Sequence, residues 1–535
     1  MKGTLITLIA VLALATALAQ DRYYEVRNDC FRYTTEGKPM YTQGGGIFRF
    51  ADPDTGEMTY YWYGCHYKEA ELYREDPRRK YSRCTFVSVS CYSSKDMLNW
   101  HEEADVLTEN DVNDRGWLGR LGVGYLKSIR KYVLMIQHNS SVMMCTSDSP
   151  KGPFKQYRHL DMTSRCGTPS SGDQTLFIDP ETQTPYLVYS NAHGRNRTYI
   201  SEIGIDEKTD SITLLTCQEV YKGASREGNC MFKHNGRYYL YASNIFGWDC
   251  SYAYYLMSDN IYGPYLPNNE MLVTKGCEAD FAHVTQTGFF ANMQGKDGKE
   301  LVMYYGDRWA DFANNGLGYN QVFPMSFDED GSPVFNSMSA WEVNPVTLDW
   351  HVSTNNNYVR NGSFEADRRL IPEPVKPRQD ELTGWTTTIV KGSPIGNDHD
   401  NGIKLNRNNS EEEQRNVVGK MSLCVTDNVD FVREISQTIA SEQFIPLPDG
   451  RYRLQFKIRN GSKLKKATVS IESGGKTFTQ KLSTAPHDWQ SESLTAEIRN
   501  GKATLTFHIE GKAKAECSID DIELTEHHIL TFLPK

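Results

Sequence analysis

The stretch Arg226-Glu-Gly-Asn-Cys-Met-Phe-Lys-His-Asn-Gly-Arg-Tyr-Tyr-Leu-Tyr-Ala-Ser243 holds two strand-like runs, Cys230 to Phe232 and Tyr238 to Ala242, around the polar turn His234-Asn235-Gly236. Asn-Gly between apolar runs is the strongest short hairpin signal, because both central residues of such a turn take positive φ. Glu227 stands at the mouth of the hairpin, beside Arg226 and just ahead of an apolar strand. A carboxylate placed there is held rigidly and partly removed from water, as a catalytic acid must be.

Outward from this hairpin, the chain from about Thr42 to Met338 repeats one theme: a small or polar patch, an apolar strand, a turn, a Tyr-rich strand, and a third strand ending near Ser. The other copies are Gly44-Gly-Gly-Ile-Phe-Arg-Phe50 with Tyr60-Tyr-Trp-Tyr-Gly64, Leu121-Gly-Val-Gly-Tyr125 with Lys131-Tyr-Val-Leu-Met135, Thr175-Leu-Phe-Ile178 with Tyr186-Leu-Val-Tyr189, and Thr287-Gly-Phe-Phe290 with Leu301-Val-Met-Tyr-Tyr305. Short-strand repeats roughly 55 to 75 residues apart mark a β-propeller, since one blade cannot bury both faces and must stack on neighbours. Five copies predict five blades. The first strand of each blade begins near the axis, so Gln43, Arg120, Asp173, Glu227 and Gln286 are expected to meet in one pocket.

After Trp350-His351 the pattern changes to period-2 strands such as Arg451-Tyr-Arg-Leu-Gln-Phe-Lys-Ile458 and Ala503-Thr-Leu-Thr-Phe-His-Ile509, which read as a β-sandwich. The expected class is therefore all-β: a five-bladed β-propeller over residues 20–352, then a β-sandwich over residues 353–535. No segment shows a notable helical period.

Composition narrows the function. A net charge of -10 with no basic run argues against nucleic acid and anionic membranes. The aromatic content, 12% with 31 Tyr and 9 Trp, suits cross-strand packing and also sugar-stacking surfaces. Residues 1–19 combine an early Lys2, an apolar run and the exit Ala17-Leu18-Ala19, the pattern of a secretory signal peptide; no later stretch is long and apolar enough to span a bilayer. Export to the periplasm or the cell exterior is expected, and the 12 cysteines are even in number, as suits an oxidising compartment. No C-x-x-C pairs point to structural zinc, and pairing among the cysteines is not readable from spacing.

The propeller half resembles glycoside hydrolase family 43, nearest the subgroup that includes exo-β-1,3-galactanases. The residues carrying the resemblance are Gly44-Gly-Gly-Ile47, Tyr60 to Gly64, Gly172-Asp-Gln-Thr-Leu-Phe177, Glu227 to Phe232, Thr285-Gln-Thr-Gly-Phe289 and Gly306-Asp-Arg-Trp309. The C-terminal part, with Asn361-Gly-Ser-Phe-Glu365 and Ile519-Asp-Asp-Ile-Glu-Leu524, is similar to galactose-binding-like jelly rolls used as carbohydrate-binding modules. The resemblance implies Glu227 as general acid and Asp173 as the carboxylate that tunes and orients it. The family's usual base, an Asp at the first blade, is replaced here by Thr42-Gln-Gly-Gly-Gly46; the subgroup lacking it uses a Gln as imidic tautomer, and Gln286 matches that position. Where that subgroup carries Glu-Arg-Pro-Lys-Val, this chain reads Gly119-Arg-Leu-Gly-Val123, so a substrate-contacting carboxylate is missing.

The resulting expectation is an exo-acting, inverting glycosidase that removes galactose or arabinose units from a complex polysaccharide. Glu227, Asp173 and Gln286 form its catalytic set, and Gln43, Arg120, Arg226, Trp248, Asp307 and Arg308 are expected to bind substrate. Inversion needs an acid and an acceptor on opposite faces of the sugar, typically about 6.5 to 9.5 Å apart. Other candidates for the base are Glu278, Asp280 and Asp249. Trp248 and Trp309 are candidate sugar platforms or blade core. No cofactor is called for; similar modules leave room for a structural calcium at Glu365 and Asp521. A monomer acting on oligo- or polysaccharide is expected, and the competing reading is a glycan-binding propeller without catalysis.

Overall fold

The computed structural model describes residues 22–76, 81, 83–112, 117–139, 141–245, 251–278, 280–309, 318–367, 382–394, 402–407 and 421–527. Residues 1–19, expected to be a signal peptide, lie outside the described residues, as do Trp248 and Asp249. Among the described residues, no helix is long and apolar enough to cross a membrane.

Five antiparallel sheets follow one another along the chain, each a meander of four main strands, with first strands at Gly46–Ala51, Leu118–Leu126, Ser171–Ile178, Glu227–His234 and Gln286–Gln294. They are the five blades of a propeller. The hairpin that opens the fourth blade pairs Glu227–His234 with Arg237–Ser243, and its turn residues Asn235 and Gly236 have φ of 48° and 77°, as a type I′ turn requires. The first strand of blade two buries both faces: every residue of Leu118–Leu126 except Tyr125 is buried, which is why this segment reads as an apolar run without alternation.

Aromatic rings cement the blade boundaries. Trp62 of blade one meets Tyr305 and Phe289 of blade five edge-on, at centroid distances of 5.2 and 6.2 Å. Phe50 meets Tyr132 across blades one and two at 5.1 Å, Phe177 meets Tyr238 across three and four at 6.2 Å, and Phe232 meets Phe290 across four and five at 4.6 Å. Much of the aromatic content is thus spent on packing.

Tyr24–Arg27 pairs with Ala340–Val343, which in turn pairs with Trp350–Val352 in a separate three-stranded sheet. Asn28 ties this sheet to blade five, its amide nitrogen donating to the carbonyls of Val322 and Met338 and its oxygen accepting from the Val322 N–H. From Thr386 onward two five-stranded sheets face each other in a sandwich. In Gly450–Asn460 the buried residues Tyr452, Leu454, Phe456 and Ile458 alternate with less buried ones, the period-2 pattern of a strand with one solvated face. Asn357 joins the connecting segment to the last strand of the sandwich, donating to Ile522 O and accepting from Leu524 N.

One expectation is corrected. An α-helix spans Lys68–Glu75 inside blade one; it is only two turns long, too short for its period to be read, and is anchored by Glu69, whose carboxylate accepts from the Thr85 N–H and hydroxyl. Near Glu365 and Asp521, where similar modules leave room for a structural calcium, the buried Asp520 carboxyl is pushed well up by burial and then by the neighbouring Glu365. Asp521 is taken up by Lys457 Nζ at 3.0 Å, and among the described residues no group of three or more His, Cys, Asp or Glu is arranged to hold a metal. Cys65, Cys91, Cys145, Cys230, Cys277 and Cys517 are buried thiols outside any disulfide.

Candidate active site

At the entrances of the first strands of blades two to five the ladders break. Pairing with the second strand slips between Leu118 and Leu121 in blade two, Ser171 and Gln174 in blade three, Glu227 and Cys230 in blade four, and Thr287 and Phe289 in blade five. A β-bulge interrupts the in-and-out alternation and re-aims side chains, so residues that a regular strand would send into the blade faces can turn toward the axis. In blade four the break rests on Gly228, at φ 60°, where a Cβ would lie 2.4 Å from the carbonyl oxygen of Thr287.

Gln286 is the hub. Its Oε1 accepts from Arg120 Nη2 at 2.7 Å and from Trp309 Nε1 at 2.9 Å. Its Nε2 donates to Glu227 Oε2 at 2.7 Å and to Asp173 Oδ2 at 3.3 Å. The four hydrogen-bonding positions of the amide are filled, and since an Arg and an indole N–H can only donate, the oxygen is held as an acceptor and both hydrogens stay on nitrogen. Arg120, itself buried, also pairs with Asp173 Oδ2 at 3.3 Å and Asp307 Oδ2 at 3.1 Å. Arg195 Nη1 bridges Asp173 Oδ1 and Glu227 Oε1 at 3.2 and 3.1 Å.

These contacts set the two carboxylates apart. Burial and then the neighbouring Asp173 charge push Glu227 up to about 7, against the opposing pull of Arg195, Arg120 and the Gln286 hydrogen bond. Asp173 is also pushed upward by burial, yet Arg120, Arg195 and the Gly228 N–H, 3.0 Å from Oδ2, more than reverse this and hold it below the ordinary Asp range. One of the pair thus titrates near neutrality while the other stays ionised, the division of labour seen in acid-base catalysis by carboxylates. Burial raises Asp307, with Arg120 opposing, and Asn320 Nδ2 and the Gly44 N–H donate to its Oδ1.

Glu227, Asp173, Gln286, Arg120 and Asp307 therefore form one network. Glu227 and Gln286, expected on opposite sides of a bound sugar, are joined by a direct hydrogen bond, which satisfies the buried carboxyl. Gln43 is buried one step away, its Nε2 donating to Arg308 O at 3.2 Å, and Arg308 is buried with Nη1 donating to Trp309 O. Arg226 leaves the network, its guanidinium lying 4.0 Å from the centroid of the Tyr254 ring. Trp309 is blade core that also orients Gln286, being 8% exposed. Glu278 is exposed, and the side chain of Asp280 lies outside the described residues.

Arg195 was missed by sequence reasoning. It comes from the loop between the second and third strands of blade three, not from an entrance, and the only sign was the Gly194-Arg195 turn, where Arg195 itself takes φ 47°. Its carbonyl accepts from the Arg226 N–H at 2.7 Å, which fixes the loop against blade four.

With this geometry in hand, comparison with known proteins is direct. The profile described as glycosyl hydrolases family 43 matches residues 57–333, just over half of the chain. A curated relative from Xylanibacter ruminicola, named "Putative beta-xylosidase", is 23% identical over 356 residues, 57% of this chain; the alignment spans 64% of the length of that relative. Among solved structures, an exo-beta-1,3-galactanase from Phanerochaete chrysosporium bound to beta-1,3-galactotriose is similar with a TM-score of 0.52 and 20% identity, covering 94% of this chain and 99% of its own. An exo-beta-1,3-galactanase from Clostridium thermocellum gives a TM-score of 0.50 at 18% identity, covering 80% and 93%. At these identities the structural likenesses speak to the fold, and the profile match speaks to descent: the chain belongs to the glycosyl hydrolases family 43.

Proposed function

We propose that the protein is an exported, exo-acting glycosidase that releases galactose, or the related arabinose, from a complex polysaccharide with inversion at the anomeric carbon. The observation that carries this is the pairing of Glu227, poised near pH 7, with Asp173, kept ionised by two arginines. Glu227 donates a proton to the glycosidic oxygen. Asp173 keeps Glu227 protonated by charge repulsion and takes no part in bond making, since its oxygens are occupied by Arg120, Arg195, Gln286 and the Gly228 N–H. Gln286 places the attacking water by hydrogen bonding; because its oxygen already accepts from Arg120 and Trp309, the proton that this water sheds as the new C–O bond forms passes to solvent water, while Glu227 gives its own proton to the departing glycosidic oxygen. Substrate has to break the Glu227–Gln286 bond on entry, so the sugar and the water come to occupy the space between them. Family membership supports the reaction class, and the galactanase neighbours support galactose as the first sugar to try.

A glycan-binding propeller without turnover is favoured by one observation: beyond Glu227 and Asp173 the remaining carboxylate of the network, Asp307, is fully buried and unable to meet a water on the far face. Incubation with galacto- and arabino-oligosaccharides decides between the two. Release that falls about 10²- to 10⁴-fold in Glu227→Gln supports the enzyme; saturable binding with no release supports the alternative. Proton NMR of the first-formed anomer tests inversion, and net retention would overturn it.

A further inference from the structure

Trp117 stands at the entrance of blade two, three residues before Arg120. Among the described residues it is the one tryptophan more than a third exposed, at 38%. Its backbone is fixed: the Trp117 carbonyl accepts from the Asn139 N–H at 3.1 Å. The next carbonyls are held from below, Leu118 O by the Tyr67 hydroxyl and by Cys65 Sγ, and Gly119 O by Cys65 Sγ at 3.6 Å.

The indole itself rests on Gly119. A Cβ at position 119 would lie 1.8, 2.2 and 2.6 Å from Cη2, Cζ2 and Cζ3 of the Trp117 ring. The tip of the ring therefore occupies the space where any side chain of residue 119 would begin, which gives a physical reason why no carboxylate stands there. Directly beyond Gly119, Arg120 is buried and bonded to Asp173, Gln286 and Asp307. An exposed indole, held on bare backbone beside a buried polar cluster, offers a rigid apolar surface at low conformational cost.

Resting on the glycosidase reading above, we propose that Trp117 is a specificity-determining platform that stacks on the apolar face of a pyranose, such as galactose, on the leaving-group side of the bond being cleaved. The outward side follows from burial: Glu227, Gln286 and Arg120 are 8%, 3% and 4% exposed, whereas Trp117 opens to solvent. Removing the ring weakens binding of substrates whose leaving group is a sugar and leaves those without a leaving-group ring untouched.

The test compares β-1,3-galactobiose with galactosyl fluoride of the same anomeric configuration, in wild type, Trp117→Ala, Trp117→Phe and Gly119→Ala. Trp117→Ala is expected to raise KM for the disaccharide about 10-fold, the loss of roughly one stacking contact, while hydrolysis of the fluoride stays within about twofold. Gly119→Ala, whose methyl displaces the indole, reproduces the effect, and Trp117→Phe retains part of the affinity. If the wild type cleaves both substrates and Trp117→Ala leaves the disaccharide unchanged, or depresses both substrates equally, the platform is refuted while the glycosidase reading stands. If the wild type cleaves neither, the galactose reading falls, and calorimetric titration of galactobiose still decides the platform: equal binding by wild type and Trp117→Ala overturns it.

Discussion

The pH dependence of turnover tests the electrostatics of the site most directly. Glu227 must be protonated to act as acid, so kcat/KM should fall on the alkaline side with a midpoint near 7, where burial and Asp173 have placed its titration. Asp173→Asn removes the repelling charge, so Glu227 ionises more readily and the alkaline limb moves to lower pH. Arg195→Met removes the cation 3.1 Å from Glu227 Oε1, so ionisation becomes harder and the limb moves to higher pH. A charge within about 4 to 6 Å shifts a carboxyl by about 1 to 3 units. Arg195 has a side chain 33% exposed and is partly screened by water, so a shift of about 1 unit is expected for it, and at least as much for the Asp173 charge, whose side chain is 15% exposed. Both variants will lose rate, but the limb position is independent of amplitude. The assay is kcat/KM on a galacto-oligosaccharide from about pH 4 to 9 at fixed ionic strength. Limbs that coincide with wild type, or that move in the same direction in both variants, would refute the assignment of Glu227 as the titrating acid between these two charges.

Gly228→Ala forces φ 60° on a residue with a Cβ and drives that carbon to 2.4 Å from the Thr287 carbonyl, so thermal unfolding should show a loss of about 2 kcal/mol or more; an unchanged Tm would mean the bulge can relax. Cys65, Cys91, Cys145, Cys230, Cys277 and Cys517 should all take an alkylating label after denaturation without reductant, read by mass spectrometry; disulfide-linked peptides among them would contradict the fold.

The sequence was most legible where local chemistry and fold agree. The Asn235-Gly236 turn needs positive φ at both positions and takes it, and the Leu454, Phe456 and Ile458 side of the sandwich strand is buried as its alternation says. Entrance residues were found because the repeat sets equivalent positions in each blade. Arg195 was not, since a loop between outer strands carries no periodic mark. The helix Lys68–Glu75 was hidden by its length and by its place between two strongly apolar strands. Spacing along the chain also says nothing about contact distance: it placed Glu227 and Gln286 in one pocket without revealing that they bond each other. Arg226 illustrates the reverse, a cation adjacent to the acid in sequence whose partner is an aromatic ring.

The pairing of Tyr24–Arg27 with Ala340–Val343 sets the order in which the molecule can be completed. The first strand of the described chain waits for a partner synthesised some three hundred residues later, so this three-stranded sheet forms only after the fifth blade has emerged, and the entropic cost of that long closure falls on a late step.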